Sequence, residues 1–205
     1  MRMLAAVLFL MSAIMSLGCG GDSPSKPAPV TTPPSANGHS APPTVVEQKS
    51  DGVTLDIKSW DETLALVAEH KGKVVVLDLW STSCEPCMIE FPYLVELHKQ
   101  HGGDKLVCVS VSCDFVGIKG KPPESYKERV LEFLTQQDAK FPNVLLNVEP
   151  DVLFEKLDLA SNPAVFVFGR DGELAKRFDN DNAKKGEDFT YEKDVVPFVE
   201  KLLSE

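Results

Sequence analysis

Apolar residues recur at different spacings along this chain, and each spacing predicts an element. Residues 3–17 are almost wholly apolar behind one positive charge at Arg2. As a helix this run spans roughly 22 Å, short of the ~30 Å core of a bilayer. It therefore predicts a cleaved signal peptide over residues 1–18 rather than a membrane span. Residues 20–44 hold seven of the chain's fifteen prolines and show no apolar period. They predict a disordered, partly polyproline linker, with a reach of ~30 Å as a coil and ~75 Å if fully extended in polyproline form.

The pattern turns globular near Val45. Residues 53–57 (VTLDI) alternate as a half-buried strand does. Ser59-Trp60-Asp61-Glu62 has the spacing of a capping box, and Leu64, Val67 and Ala68 continue a helical stripe. VVVLDLW (74–80) and LVCVSVS (106–112) are continuous apolar runs of the kind that strands buried on both faces show. Between them a helix is expected to open around Cys84 and to run over 88–101, with Pro92 as a kink. Residues 123–138 predict a third helix, with Val130, Leu131 and Leu134 inward. NVLLNV (143–148) predicts a strand, followed by a helix near 150–158. AVFVFGRDGELAKRF (164–178) predicts a hairpin through Gly169-Arg170-Asp171-Gly172. A final helix is expected over 191–203, burying Val195, Phe198, Val199 and Leu202. Strands alternating with helices force parallel crossovers early, and the late hairpin forces an antiparallel edge. The expected fold class is α/β, a mixed sheet with helices on both faces, over residues 46–205.

Composition narrows the function. With 43% hydrophobic and 25% charged residues the chain can bury an ordinary core. Its net charge of −10, with no basic cluster, repels phosphate backbones and argues against a nucleic-acid partner.

The candidate chemistry lies in LDLWSTSCEPCMIEFPYL (77–94). A thiolate is the species that attacks a disulfide, and the free N–H groups of a helix N-terminus stabilise it. A strand ending at Trp80, a short loop and a helix opening near Cys84 supply that setting. Two intervening residues let Cys87 reach back to resolve a mixed disulfide, and Pro86 suits a first helical turn. A structural zinc site would need a second cysteine pair, and a structural staple across two residues would stabilise little; both stay open beside the redox reading. Cys108 and Cys113 stand ~16 Å apart along one strand and cannot pair with each other. They read as small buried residues, with Cys113 at the strand end expected to face the pair, where a third-thiol role stays open. His39 reads as a linker residue, and His70, His98 and His101 as surface histidines. No metal and no cofactor are expected.

Two resemblances add to this. Ser16-Leu17-Gly18-Cys19 resembles the lipobox of bacterial lipoproteins, although leucine sits two residues before the cysteine rather than three. That resemblance implies lipidation at Cys19 and a domain on a leash (residues 19–45) that searches for large partners near a membrane. The alternatives are a plain signal peptide cleaved near Gly18 and, behind that, an uncleaved anchor. Separately, W-S-T-S-C-E-P-C-M-I-E-F-P resembles the W-x-x-W-C-x-P-C-x-x-E-x-P of the thioredoxin superfamily, in its membrane-tethered TlpA-, ResA- and DsbE-like branch.

The resemblance implies a thioredoxin fold, with Cys84 as nucleophile and Cys87 as resolving thiol. Asp78 then matches the buried carboxyl that exchanges a proton with Cys87. Glu85 is a neighbour that disfavours the Cys84 thiolate, and Pro163 is the cis-proline facing the pair. Trp80, Glu90, Asn162 and Pro163 are the residues expected against substrate. The implied activity is disulfide reduction on exported proteins or apocytochromes, on the periplasmic side of a membrane, with a membrane thiol donor restoring the pair. Three features depart from the branch: Ser83 where an aromatic is usual, Asn162, and an apparent insertion at 115–123. Ser83 keeps alive a different class of reading, a thioredoxin-fold binding module whose CxxC is structural or vestigial. A peroxiredoxin-like or copper-delivering relative fits less well, because no P-x-x-x-T-x-x-C surrounds Cys84 and the spacing is CxxC rather than CxxxC.

Overall fold

Val74–Trp80 and Leu106–Ser112 are buried at every position, and they form the middle of the sheet. The structure, a computed structural model, describes residues 52–184 and 186–205. The segment expected as a signal peptide (1–18), Cys19 and the proline-rich stretch lie outside the described residues. In chain order the elements are β1 (Asp56–Lys58), α1 (Trp60–Ala68), β2 (Val74–Trp80), α2 (Glu85–His101), β3 (Leu106–Ser112) and α3 (Glu124–Gln136). They continue with β4 (Asn143–Leu146), α4 (Pro150–Leu157), β5 (Ala164–Phe168), β6 (Leu174–Phe178), a π-helical turn (Tyr191–Val195) and α5 (Val196–Ser204).

The six strands lie in the order β1-β4-β3-β2-β5-β6. β1, β4, β3 and β2 are parallel, while β5 runs antiparallel to both β2 and β6. This is the mixed sheet that the pattern predicts. Side chains alternate across a strand, so β2 feeds two core layers. Val74, Val76 and Trp80 pack with Phe91 and Leu94 of α2, Leu134 of α3 and Val199 of α5. Val75, Leu77 and Leu79 pack with Trp60 and Val67 of α1 and Leu153 of α4. The same alternation puts Asp78 on the α2 side of the sheet.

Local signals account for most boundaries. The capping box at Ser59 is closed on both sides: Glu62 N–H donates to Ser59 Oγ at 3.2 Å, and Ser59 N–H donates to Glu62 Oε2 at 2.7 Å. Such a cap stabilises a helix by ~1 kcal/mol. Three boundaries differ from the sequence reading. β1 opens at Asp56 because only Asp56, Ile57 and Lys58 find partners on the short β4, although Val53 and Leu55 before it are buried. β4 itself closes at Leu146 rather than 148. The last helix opens as a π turn: Pro197 has no N–H for the carbonyl four residues back, and Val196 N–H bonds instead to Tyr191 O.

Candidate active site

Parallel pairing of β2 with β3 brings their C-terminal ends to one edge, and antiparallel β5 starts there, with Ala164 opposite Leu79. The loops 81–84, 113–123 and 161–163 therefore share that edge. Cys84 is the N-cap of α2, and Cys87 N–H donates to its Sγ at 3.2 Å. The two cysteines form a disulfide across a Cα separation of 5.3 Å. They are not equivalent: Cys84 is half-buried, whereas Cys87 is 2% exposed. An attacking or attacked sulfur at this surface is therefore Cys84, and Cys87 is reached only from within. Pro86 in the first turn gives up no helical hydrogen bond. Glu85 and Pro86 are exposed beside the pair.

Behind the disulfide, Asp78 is 3% exposed and accepts a hydrogen bond from the Tyr191 hydroxyl at 2.9 Å. Burial pushes its carboxyl up to about 7; the Tyr191 hydrogen bond opposes that rise and the charge of Glu90 adds to it. Glu90, half-buried on α2, accepts the backbone N–H of Tyr191 at 2.7 Å. Burial also pushes the thiols of Cys108 and Cys113 well up; the Asp78 charge adds to the first, and the charges of Asp114 and then Asp78 add to the second. These two remain protonated. Cys108 packs in the layer that holds Cys87, but Cys113 packs in the opposite layer with Leu79 and Ala164.

The remaining expected residues fall at the same edge. The Asn162–Pro163 peptide is cis, and it directly precedes Ala164 on β5. Asn162 Nδ2 is buried without a partner among the described residues. Trp80 requires a correction as a substrate contact. It is 0% exposed, with its ring 4.8 Å from Phe133 and 5.0 Å from Phe91, so it packs beneath the loop and offers no surface to a docked chain. The histidines sit deeper than a surface reading implies: His70, His98 and His101 are all half-buried, and His98 meets the Phe141 ring edge-on at 5.1 Å. Among the described residues no three His, Cys, Asp or Glu side chains gather as a metal site requires.

Sequence reasoning missed Asp114. It is 2% exposed and its carboxylate receives hydrogen bonds from Thr82 N–H at 3.0 Å, from Thr82 Oγ, from Ser112 Oγ at 2.7 Å and from Arg129 Nη2 at 2.7 Å. The loop is closed further by Ser83 N–H donating to Ser81 Oγ at 3.1 Å. Ser83 itself is exposed. The only hint in the sequence was an acidic residue directly after a buried strand. In the 115–123 segment Gly117 has φ +66, a conformation that side chains rarely adopt, and an added Cβ would meet the exposed Glu149 side chain. Val116 and Ile118 there are exposed, as is Ile89 on α2.

Comparison with known proteins agrees with this geometry. The Redoxin family profile matches residues 36–195. The thiol-disulfide oxidoreductase ResA of Bacillus subtilis is 29% identical over 131 residues, which is 64% of this chain and 66% of that protein. The chain thus matches just under two-thirds of that relative's length. Two solved structures, each 18% identical, share the fold over 68% of this chain and 85% of theirs. One is a thioredoxin-like superfamily protein with a TM-score of 0.51, and the other is described as a DsbE thiol:disulfide interchange protein from Chlorobium tepidum, with a TM-score of 0.50. With a profile covering most of its length, the chain belongs to the Redoxin family, and it carries a thioredoxin fold around its CxxC.

Proposed function

We propose that this protein is an extracytoplasmic thiol-disulfide oxidoreductase that works in the reducing direction through Cys84 and Cys87. The observation that carries the reading is the inequality of the two sulfurs: Cys84 half-buried at a helix N-terminus, Cys87 buried behind it, on the same side of the sheet as a carboxyl held near neutrality. In the reduced protein the Cys84 thiolate attacks a substrate disulfide. A Cys84–substrate bond forms and one substrate thiolate leaves. Cys87 then gives its proton to the Asp78 carboxylate and attacks Cys84 Sγ. The mixed disulfide breaks, the Cys84–Cys87 disulfide forms, and the second substrate sulfur leaves as a thiolate that takes up a proton. Two electrons have passed to the substrate, and a dithiol donor must return them.

Direction and place rest on the sequence. Glu85 beside Cys84 disfavours its thiolate, and a less stable thiolate makes a more reducing pair. A segment with signal-peptide character ending at Cys19, followed by a proline-rich stretch, supports a lipid tether. Exported proteins or apocytochromes are then the substrate class, and a membrane thiol reductant is the partner, because extracytoplasmic space is oxidising. The alternative of a binding module draws on the polar, exposed Ser83. Insulin reduction with dithiothreitol separates the two readings. The oxidoreductase predicts turnover that Cys84→Ser abolishes, whereas a binding module predicts none in either protein. Mass spectrometry of the mature N-terminus tests the tether: a diacylglycerol-modified Cys19 supports it, and an unmodified terminus contradicts it.

A further inference from the structure

We infer that Tyr191 is the positioning residue of this site: from the π-helical turn it ties the Asp78 and Glu90 carboxylates together and sets how tightly Asp78 holds its proton. The inference rests on Asp78 serving the Cys87 proton, as proposed above.

Tyr191 is 1% exposed and makes two hydrogen bonds to acidic side chains from two different elements. Its hydroxyl donates to Asp78 Oδ2 at 2.9 Å and its backbone N–H donates to Glu90 Oε2 at 2.7 Å. The first N–H groups of a helical turn have no partner within the turn. Glu90 takes one of them, in a charge-assisted bond of the stronger kind. That bond docks the C-terminal turn onto the CxxC helix and holds the phenol in place over β2.

The surroundings of Asp78 leave few other influences. On β3 and just past it stand the thiols of Cys108 and Cys113, both kept neutral by burial. α2 contributes Glu90, β5 pairs Val165 with Asp78, and the C-terminal turn contributes Tyr191. Glu90 is the anionic neighbour, and the Tyr191 phenol is the hydrogen-bond donor. A donor to a carboxylate favours its charged form and a nearby anion disfavours it. One residue thus couples the two opposing influences on Asp78.

The test reads the Asp78 carboxyl directly, by carbon-13 NMR titration of the intact disulfide form, with Asp78→Asn assigning the resonance. It needs no turnover, so its failure is distinct from a failure of the proposed activity, which the Cys84-dependent assay reports. Tyr191→Phe keeps the ring and removes the donor, and is expected to raise the proton affinity of Asp78 about threefold to tenfold. Val195→Ala, in the same turn, should lower stability and leave the Asp78 midpoint in place. In the unmodified protein the Tyr191 ring carbon bearing the hydroxyl should titrate at the Asp78 midpoint, which tests the coupling even if Tyr191→Phe does not fold. An unchanged midpoint in Tyr191→Phe, an equal shift in Val195→Ala, or a Tyr191 resonance flat through that midpoint would each overturn the inference.

Discussion

The backbone N–H of Thr82, two residues before Cys84, donates to the buried carboxylate of Asp114 at 3.0 Å. Asp114 is paired in turn with Arg129 of α3 at 2.7 Å, so the loop that presents Cys84 is tied to a helix on the same side of the sheet. Arg129 is 56% exposed and can return to water, so the pair itself contributes little. The larger cost of removing Asp114 falls on the Thr82 N–H and the Thr82 and Ser112 hydroxyls, which lose their acceptor. Asp114→Ala is expected to destabilise the protein by about 1–3 kcal/mol. Urea unfolding checks this, through a lower midpoint at unchanged slope. Turnover should fall as well, because the loop before Cys84 is no longer fixed. A variant as stable and as active as the parent would remove Asp114 from the site.

Asp78 makes stability depend on pH in a direction opposite to that of a salt-bridged carboxylate. Its folded pKa of about 7 lies above the unfolded value near 3.8. The folded protein therefore holds a proton that the unfolded chain has released. The contribution is fully present below about pH 4 and is lost as pH rises through 7. Asp78→Asn removes the burden of a charged buried carboxylate. The variant should gain on wild type as pH rises from 5 to 8, by an amount on the order of 2–3 kcal/mol. Its turnover should fall, since the proposed acceptor for the Cys87 proton is gone. Denaturant titrations at the two pH values measure the first effect, and an equal stability gap at both would contradict the assignment.

Glu85 is exposed beside Cys84, where solvent weakens but does not abolish its charge. In the reduced protein Glu85→Gln should make Cys84 more acidic by roughly twofold to fivefold in its ionisation constant, the scale of an exposed charge pair. The pH dependence of iodoacetamide alkylation at Cys84 reports this. The potential of the pair should move in the oxidising direction with it. An alkylation profile that coincides with the parent's would leave the direction of electron flow to Pro86 and the rest of the site.

Much of this was legible in local patterns. The seven-residue apolar runs of β2 and β3 identified the buried central strands, and Ser59 with Glu62 marked a helix start that the structure closes on both sides. Cys84, Pro86 and Cys87 announced themselves by spacing and by their place after a strand. What escaped notice depends on contacts remote in sequence. Tyr191 and Asp78 are 113 positions apart, and Tyr191 looks from its neighbours like one more apolar position of a terminal helix. Asp114 is 32 positions from Thr82, and its role depends on the parallel β2–β3 pairing that brings the two loops together. Trp80 was misjudged for a related reason. Its position next to the loop is local, but its burial under Phe91 and Phe133 follows from how α2 and α3 close over the sheet.

Trapping the mixed disulfide bears most directly on the redox role of the pair. With Cys87→Ser the resolving sulfur is gone, so reduced protein incubated with a disulfide-bonded peptide should accumulate one adduct per chain, mapped by mass spectrometry to Cys84. The same treatment of wild type should leave only the Cys84–Cys87 disulfide and reduced peptide. No adduct, or adducts at Cys108 or Cys113 in place of Cys84, would contradict the assignment of Cys84 as the attacking sulfur.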